Sequence, residues 1–168
     1  MDKPDQQEFL QLIEQNRRII FKICHSYCKD PGEREDLTQE IIYQLWKSWE
    51  RFDNSYKFTT WMYRVGLNTA IAFYRKAKNK ESMIPLTEQH EEVADKTDGN
   101  RKSEEQLQLL QKFIYQLKDL DKALMLLYLD SKSYSEIADI LGITETNVAT
   151  KISRIKEKLK QNFSAVNK

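Results

Sequence analysis

The chain is poor in the residues that sheet proteins use for turns, and it lacks the long apolar runs of membrane proteins. Its 168 residues include four glycines and three prolines. Tight strand connections therefore have little support, and the sequence predicts a predominantly helical protein. No apolar run approaches the roughly 20 residues that span a bilayer, and no apolar signal segment follows the charged N-terminus. We therefore expect a cytoplasmic protein without membrane insertion.

Cysteine and histidine are equally scarce, with two of each. Cys24 and Cys28 are spaced to share one helix face with His25 between them, but His90 lies far away in a polar stretch. Four protein ligands for a metal are hard to assemble from this set. We interpret the cysteines as buried, reduced thiols and predict no metal site. No nucleophile–base pair or phosphate-binding loop is recognisable, which predicts a non-enzymatic protein without a cofactor.

Charge is distributed in three blocks that the net charge of +1 conceals. Residues 1–80 hold 14 Lys/Arg against 11 Asp/Glu, residues 81–105 hold 3 against 8, and residues 106–168 hold 10 against 7. Two mildly basic blocks thus flank an acidic one. Non-specific DNA binding grows with the number of phosphates neutralised, so this weak overall charge indicates that strong DNA binding needs a partner.

The segment from residue 133 to residue 159 has the pattern of a helix-turn-helix. Ser133 and Glu136 have the spacing of a helix N-cap and its third residue, and Gly142 suits a left-handed turn. Thr144 is a second cap candidate. Four apolar residues then recur as a stripe predicted to be buried: Val148, Ile152, Ile155 and Leu159. The opposite face carries donors and no acid, which suits base edges and phosphates in a major groove: Thr146, Asn147, Thr150, Lys151, Arg154 and Lys158. The alternative is an ordinary amphipathic helix pair with a solvated basic face.

The rest of the chain shows helical periodicity on both sides of an acidic stretch. One helix is predicted from Phe9 to Tyr27, and Asp30 with Pro31 caps the next. A third begins near Thr59 or Thr60. Periodicity then fails until Ser103, a further cap candidate that precedes a helix and a segment from 123 to 129. The sequence predicts an all-α protein of two small helical domains, residues 1–80 and 103–168, joined by a flexible acidic linker, 81–102.

Two segments of residues 1–80 carry further polar patterns. Asp36, Gln39, Glu40 and Tyr43 lie on or near one exposed face of a predicted helix, opposite three apolar residues, Leu37, Ile41 and Leu45. Such a face is often merely solvated. Residues 58–80 interleave aromatic rings with cations and contain no acid, a composition that suits single-stranded nucleic acid. We assign Trp61 and Phe73 within it to the core.

These motifs in this order resemble the sigma-70 factors of bacterial RNA polymerase, specifically the short extracytoplasmic-function (ECF) type. The resemblance rests on three segments: 35–40 with Trp46, 58–64 with Asn68, and 134–142. It implies a sigma factor that binds core RNA polymerase, through the clamp helices of the largest subunit and the flap, and directs it to promoter DNA. It also implies a separate anti-sigma factor as a further partner.

The resemblance assigns roles by position. The polymerase-binding set is Asp36, Gln39, Glu40 and Tyr43. The set that binds the −10 element is Arg64, Asn68, Arg75 and Lys76. The set that binds the −35 element is Thr146, Asn147, Thr150, Lys151 and Arg154. We expect the free protein to be inhibited, either because its two domains pack together or because an anti-sigma factor binds it. The alternative function is a free-standing helix-turn-helix transcriptional regulator with a helical sensor domain.

Overall fold

The computed structural model describes residues 5–81 and 101–166, and these residues form helices and no strand. Eight α-helices are described, with a turn of 3-10 helix at Trp49–Arg51. They are α1 (Gln6–Gln15), α2 (Arg17–Tyr27), α3 (Pro31–Ser48), α4 (Phe58–Glu81), α5 (Arg101–Gln116), α6 (Asp119–Leu129), α7 (Tyr134–Leu141) and α8 (Glu145–Val166). The all-helical prediction is confirmed. The predicted flexible linker lies, from residue 82 to residue 100, outside the described residues.

Helices α2, α3 and α4 pack around one apolar core in the N-terminal half, which we define as α1–α4. Gly66 of α4 faces Ile23 of α2, and a Cβ at Gly66 would lie only 2.8 Å from the Ile23 Cδ1 atom. The missing side chain therefore permits the close approach of the two helices. The α3 helix begins as predicted, because the Asp30 carboxylate accepts a hydrogen bond from the Glu33 amide and Pro31 is the first helical residue.

The first predicted helix is two helices that meet at Asn16, so the prediction of one continuous helix was wrong. The Asn16 side-chain amide donates to the Leu12 carbonyl oxygen at 2.9 Å, and its backbone leaves the helical region (φ −115°, ψ 17°). Phe9 before the break and Ile20 after it are both buried. Apolar spacing alone does not reveal a one-residue interruption of this kind.

In the C-terminal half, α5–α8, the first two helices begin at residues other than those predicted. Helix α5 begins at Arg101 and runs through Ser103, so the predicted cap at Ser103 was wrong. An N-cap residue needs a non-helical backbone, which Ser103 does not have. Helix α6 begins at Asp119, four residues before the predicted Ala123. Helices α6, α7 and α8 pack against one another around buried leucines and isoleucines.

The two halves contact each other directly. Helices α2 and α4 of the N-terminal half pack against α5, α6 and α7 of the C-terminal half. Tyr27 and Lys122 are both buried where the halves meet. None of the helices in the described ranges combines the length and apolarity that a bilayer crossing requires.

Candidate nucleic-acid and protein interfaces

The helix-turn-helix geometry predicted for the C-terminal half is present. The Ser133 hydroxyl accepts a hydrogen bond from the Glu136 amide at 3.1 Å and caps α7. Gly142 ends α7 in the left-handed conformation, with φ at +70°. The Thr144 hydroxyl accepts from the Asn147 amide at 3.1 Å and caps α8. These three local interactions fix the angle at which α8 leaves the turn.

The face that α8 turns outward is the one predicted to meet DNA. Its opposite stripe is buried, as predicted: Val148, Ile152, Ile155 and Leu159. Thr146, Asn147 and Arg154 are exposed, whereas Lys151 is half-buried. The Thr150 hydroxyl is exposed and donates to the Thr146 carbonyl oxygen at 3.0 Å. The five residues of the −35 set therefore lie together on one accessible surface of α8, and their role stays a prediction.

Lys156 of α8 makes a contact with α6 that the sequence did not reveal. The Lys156 ammonium nitrogen lies 4.1 Å from the centre of the Tyr128 ring, which fastens α8 to α6. A hydrogen bond with the Tyr128 hydroxyl raises the pKa of Lys156. This side chain contacts protein and is therefore absent from the candidate DNA surface.

The candidate polymerase face of α3 is arranged as predicted. Asp36, Gln39, Glu40 and Tyr43 are all exposed. On the opposite side of α3, three residues are fully buried: Leu37, Ile41 and Leu45. The Glu40 carboxylate accepts a hydrogen bond from the Gln44 side chain at 3.0 Å, which orients it along the helix. The four side chains of this face are thus accessible to a partner.

An apolar surface that sequence reasoning missed adjoins this face. Leu10 of α1 and Trp46 of α3 are exposed by 53% and 41%, which is high for large apolar side chains. With Phe9, Ile42 and Tyr43 they line a groove between α1 and α3. The signal available in the sequence was the spacing of three between Tyr43 and Trp46, which places both on one side of a helix.

The four residues of the −10 set divide into two pairs on α4. Asn68 and Lys76 are exposed and line an open groove between α3 and α4, together with Asp36 and Glu40. The structure thus places half of the −10 set beside the polymerase face. In contrast, Arg64 and Arg75 contact the C-terminal half: an Arg64 guanidinium nitrogen donates to the Asp139 carbonyl oxygen at 2.6 Å, and the Arg75 Nε atom lies 3.2 Å from the Asp119 carboxylate.

Aromatic side chains fill the space between the end of α3 and the start of α4. The rings of Trp49, Phe52 and Phe58 surround Trp61, and the centres of Phe52 and Trp61 lie 5.0 Å apart. Trp61 and Phe73 are half-buried and pack against the core, which agrees with their assignment to it. Tyr56, by comparison, is exposed and lies 5.0 Å below the Arg64 guanidinium.

Both cysteines are buried and reduced. The Cys24 sulfur lies 3.3 Å from the Thr38 hydroxyl oxygen. Burial raises the pKa of the Cys24 thiol, and burial followed by the charge of Glu33 raises the pKa of Cys28 to about 12. In the described part of the chain, no three His, Cys, Asp or Glu side chains are grouped as a metal ion would require.

Two protein families match consecutive parts of this chain. The Sigma-70 region 2 family matches residues 12–80, and the Sigma-70 region 4 family matches residues 107–159. The ECF RNA polymerase sigma factor SigW of Bacillus subtilis is 30% identical, over 96% of this chain and 91% of SigW. The chain belongs to the ECF sigma-70 family. The ECF RNA polymerase sigma-E factor of Escherichia coli is 28% identical over 94% of this chain and 87% of its own length.

Solved structures share the fold of this sigma factor. CnrH in complex with the cytosolic domain of CnrY gives a TM-score of 0.69 at 20% identity and covers 96% of this chain and 90% of CnrH. The sigma factor RpoE of Bartonella quintana, in complex with the anti-sigma factor NepR, gives 0.71 at 18% identity and covers 94% of this chain and 98% of RpoE. The chain is thus a sigma factor that binds core RNA polymerase and promoter DNA and directs transcription initiation.

Proposed function

We propose that this sigma factor divides its task between residues 1–80 and residues 103–168, with residues 81–102 as a linker. The first part binds the clamp helices of the largest polymerase subunit and the −10 element. The second part binds the −35 element and the flap. The chain itself catalyses no reaction, since the polymerase performs the chemistry, and it acts in the cytoplasm.

The groove between α3 and α4 carries this proposal. It brings Asp36 and Glu40 of the polymerase set within one cleft with Asn68 and Lys76 of the −10 set. A polymerase bound to α3 would therefore hold the melted strand against α4. Capturing an unstacked base costs a few kcal/mol, which hydrogen bonds to the base edge and contacts between lysine and phosphate offset.

The −35 role of α8 follows from its outward surface. Arg154 and Lys151 are long cations on a helix whose N-terminal residues, Thr146 and Asn147, are exposed beside them. A recognition helix typically reads base edges with its first residues while cations contact phosphates. The chain's match to both sigma regions disfavours the alternative of a free-standing regulator with a sensor domain.

An anti-sigma factor is a further proposed partner. Of the solved proteins with this fold, the sigma factor RpoE is bound to the anti-sigma factor NepR, and CnrH is bound to the cytosolic domain of CnrY. The exposed apolar groove between α1 and α3 offers a surface for a partner helix, since exposed apolar grooves commonly bind such helices.

Reconstitution with purified core RNA polymerase from the source organism tests the proposed function. Fragmented genomic DNA is transcribed with and without the protein, and the transcripts are mapped. We expect transcripts with defined start sites that require the protein, and loss of these transcripts when Asn68→Ala and Lys76→Ala are combined. A stable complex with polymerase but identical transcripts with and without the protein would contradict the proposal.

A further inference from the structure

The exposed side of α2 carries cations and aromatic rings and no acid. Residues 17 to 29 contain no aspartate or glutamate. The buried side of α2 faces the core with Ile19, Ile20, Ile23, Cys24 and Tyr27. The exposed side consists of Arg17, Arg18, Phe21, Lys22 and His25. Cations clustered along one helix face are the electrostatic footprint of a surface that binds nucleic acid.

Two aromatic rings are stacked in the middle of this face. Phe21 is exposed by 61%, more than any other large apolar side chain that the structure describes. Its ring centre lies 3.9 Å from that of His25, with 28° between the ring planes. The His25 Nδ1 atom lies 3.1 Å from the Phe21 carbonyl oxygen, which holds the imidazole in place. A single exposed apolar residue indicates nothing, but fixed rings beside cations are the arrangement that binds single-stranded nucleic acid.

Two arginines precede the ring pair and are accessible to an anion. Arg17 lies about 6 Å before Phe21 along the helix axis, since four residues rise by that distance. Its guanidinium is 3.2 Å from the Glu14 carboxylate, and the two side chains are exposed by 74% and 72%. An ion pair this exposed is weak, so a phosphate can replace the carboxylate. Arg18 has no ion-pair partner among the residues that the structure describes.

We define the α2 platform as Arg17, Arg18, Phe21 and His25. Lys22 is left out because its ammonium group is bonded to Asp130 of the C-terminal half. The platform lies on the side of α2 opposite the residues that pack against α3 and α4. It shares no residue with the polymerase set, the −10 set or the −35 set. Because α2 and α4 pack directly against each other, the platform and the −10 set belong to the same half.

We propose that the α2 platform is an additional binding site for the melted promoter strand, where a base stacks on Phe21 and the flanking phosphates contact Arg17 and Arg18. The ligand is a single strand, because the bases of a duplex stack on one another and leave no face for Phe21. Binding is independent of sequence, since every base has a face that can stack. This inference rests on the proposed function, in which α4 captures an unstacked base of the same strand.

Three variants separate the ring from the cations. Phe21→Tyr keeps an aromatic ring, Phe21→Leu keeps an apolar side chain without a ring, and Arg17→Ala with Arg18→Ala removes both charges. All three positions are exposed, so the fold should be unaffected. The matched controls lie on α5. Leu107→Ala removes an apolar side chain that is exposed by 56%, and Lys102→Ala with Lys112→Ala removes two exposed cations.

Two measurements are made on every protein. Fluorescence anisotropy gives the affinity for labelled oligo(dT) over a series of salt concentrations, and heparin challenge gives the lifetime of open complexes that the holoenzyme forms at a mapped promoter. Phe21→Leu should weaken oligo(dT) binding and shorten the lifetime about five- to tenfold, whereas Phe21→Tyr should stay within about twofold of the wild type. Loss of two phosphate contacts should reduce the slope of log affinity against log salt by about 1.4. The α5 controls should change neither measurement.

Equal oligo(dT) affinities of Phe21→Leu and the wild type would overturn the proposal. So would a loss of affinity for core polymerase in Phe21→Leu, because Phe21 also lines a groove with Ile42 of α3 that would then receive a polymerase side chain. Tighter binding of oligo(U) than of oligo(dT) of the same length would exclude the promoter strand as the ligand. If the wild-type holoenzyme forms no open complex, the proposed function fails, and the oligo(dT) affinities still show whether the platform binds a single strand.

Discussion

Arg64 and Asp139 are 75 residues apart in the chain, yet the Arg64 guanidinium donates to the Asp139 carbonyl oxygen at 2.6 Å. This bond joins the helix assigned to the −10 element to the first helix of the helix-turn-helix. A residue predicted to bind DNA is therefore bound by protein when DNA is absent. Two other residues of the −10 set, Asn68 and Lys76, are exposed.

The polymerase face of α3 can be tested by truncating two of its side chains. Asp36→Ala combined with Gln39→Ala should weaken binding to core polymerase, by roughly 1.5–3 kcal/mol for each lost hydrogen bond to a charged group. Stability should be unchanged because both side chains are exposed. Fluorescence anisotropy with labelled protein measures the affinity. Glu8→Ala with Gln11→Ala is the matched control, an exposed acid and amide at the same spacing on α1. Equal affinities for both double variants would refute the assignment.

The recognition surface of α8 makes a different prediction. Lys151→Ala with Arg154→Ala should reduce protection of the −35 element in footprinting while leaving polymerase affinity intact. A lost base contact should cost about 1–3 kcal/mol and relax preference at one position, whereas a lost phosphate contact should weaken all sequences and flatten the salt dependence. Lys102→Ala with Lys112→Ala, on α5, removes two exposed cations elsewhere in the same half. Full −35 protection by the α8 variant would show that the surface is misplaced.

The turn of the helix-turn-helix depends on the backbone of Gly142. A Cβ there would meet nothing within 4 Å, so the only penalty of Gly142→Ala is the left-handed backbone at φ +70°. We expect the free energy of unfolding to fall by about 1–2 kcal/mol. Gly142→Asn should lose less, because asparagine tolerates this conformation better than alanine does. Urea denaturation of the three proteins measures the order, and equal stability of the alanine variant would contradict this account.

The buried cysteines predict how thiol reactivity and stability depend on pH. Since burial raises the pKa of Cys28 from 9.0 to about 12, the folded protein at pH 8 should react with iodoacetamide about a hundredfold or more slowly than the unfolded chain. The unfolded thiols lose their protons first as the pH rises. The stability associated with the protonated thiols is therefore complete below pH 9 and declines above it. Mass spectrometry of alkylated samples measures the rate, and rapid native labelling would show that the thiols are accessible.

Features that depend on neighbours within one turn of helix could be predicted from the amino-acid pattern. Spacings of three or four residues predicted four features that the structure contains. They are the cap at Ser133, the left-handed Gly142, the buried stripe of α8 and the polar face of α3. The motif order likewise led to the family. Residue spacing did not predict the helix break at Asn16 or the start of α5 before Ser103, because neither interrupts the apolar periodicity.

The contacts between the two halves could not be predicted from the amino-acid pattern. Lysine is usually exposed on the protein surface, but Lys122 is buried against the rings of Tyr27 and Tyr74 of the other half. Lys22 and Asp130 are 108 residues apart, and no local pattern connects them. Burial and pairing of this kind depend on which helix faces come together in three dimensions. The sequence periodicity of each helix specifies its apolar side, but the partner of its polar side is set by packing between distant segments.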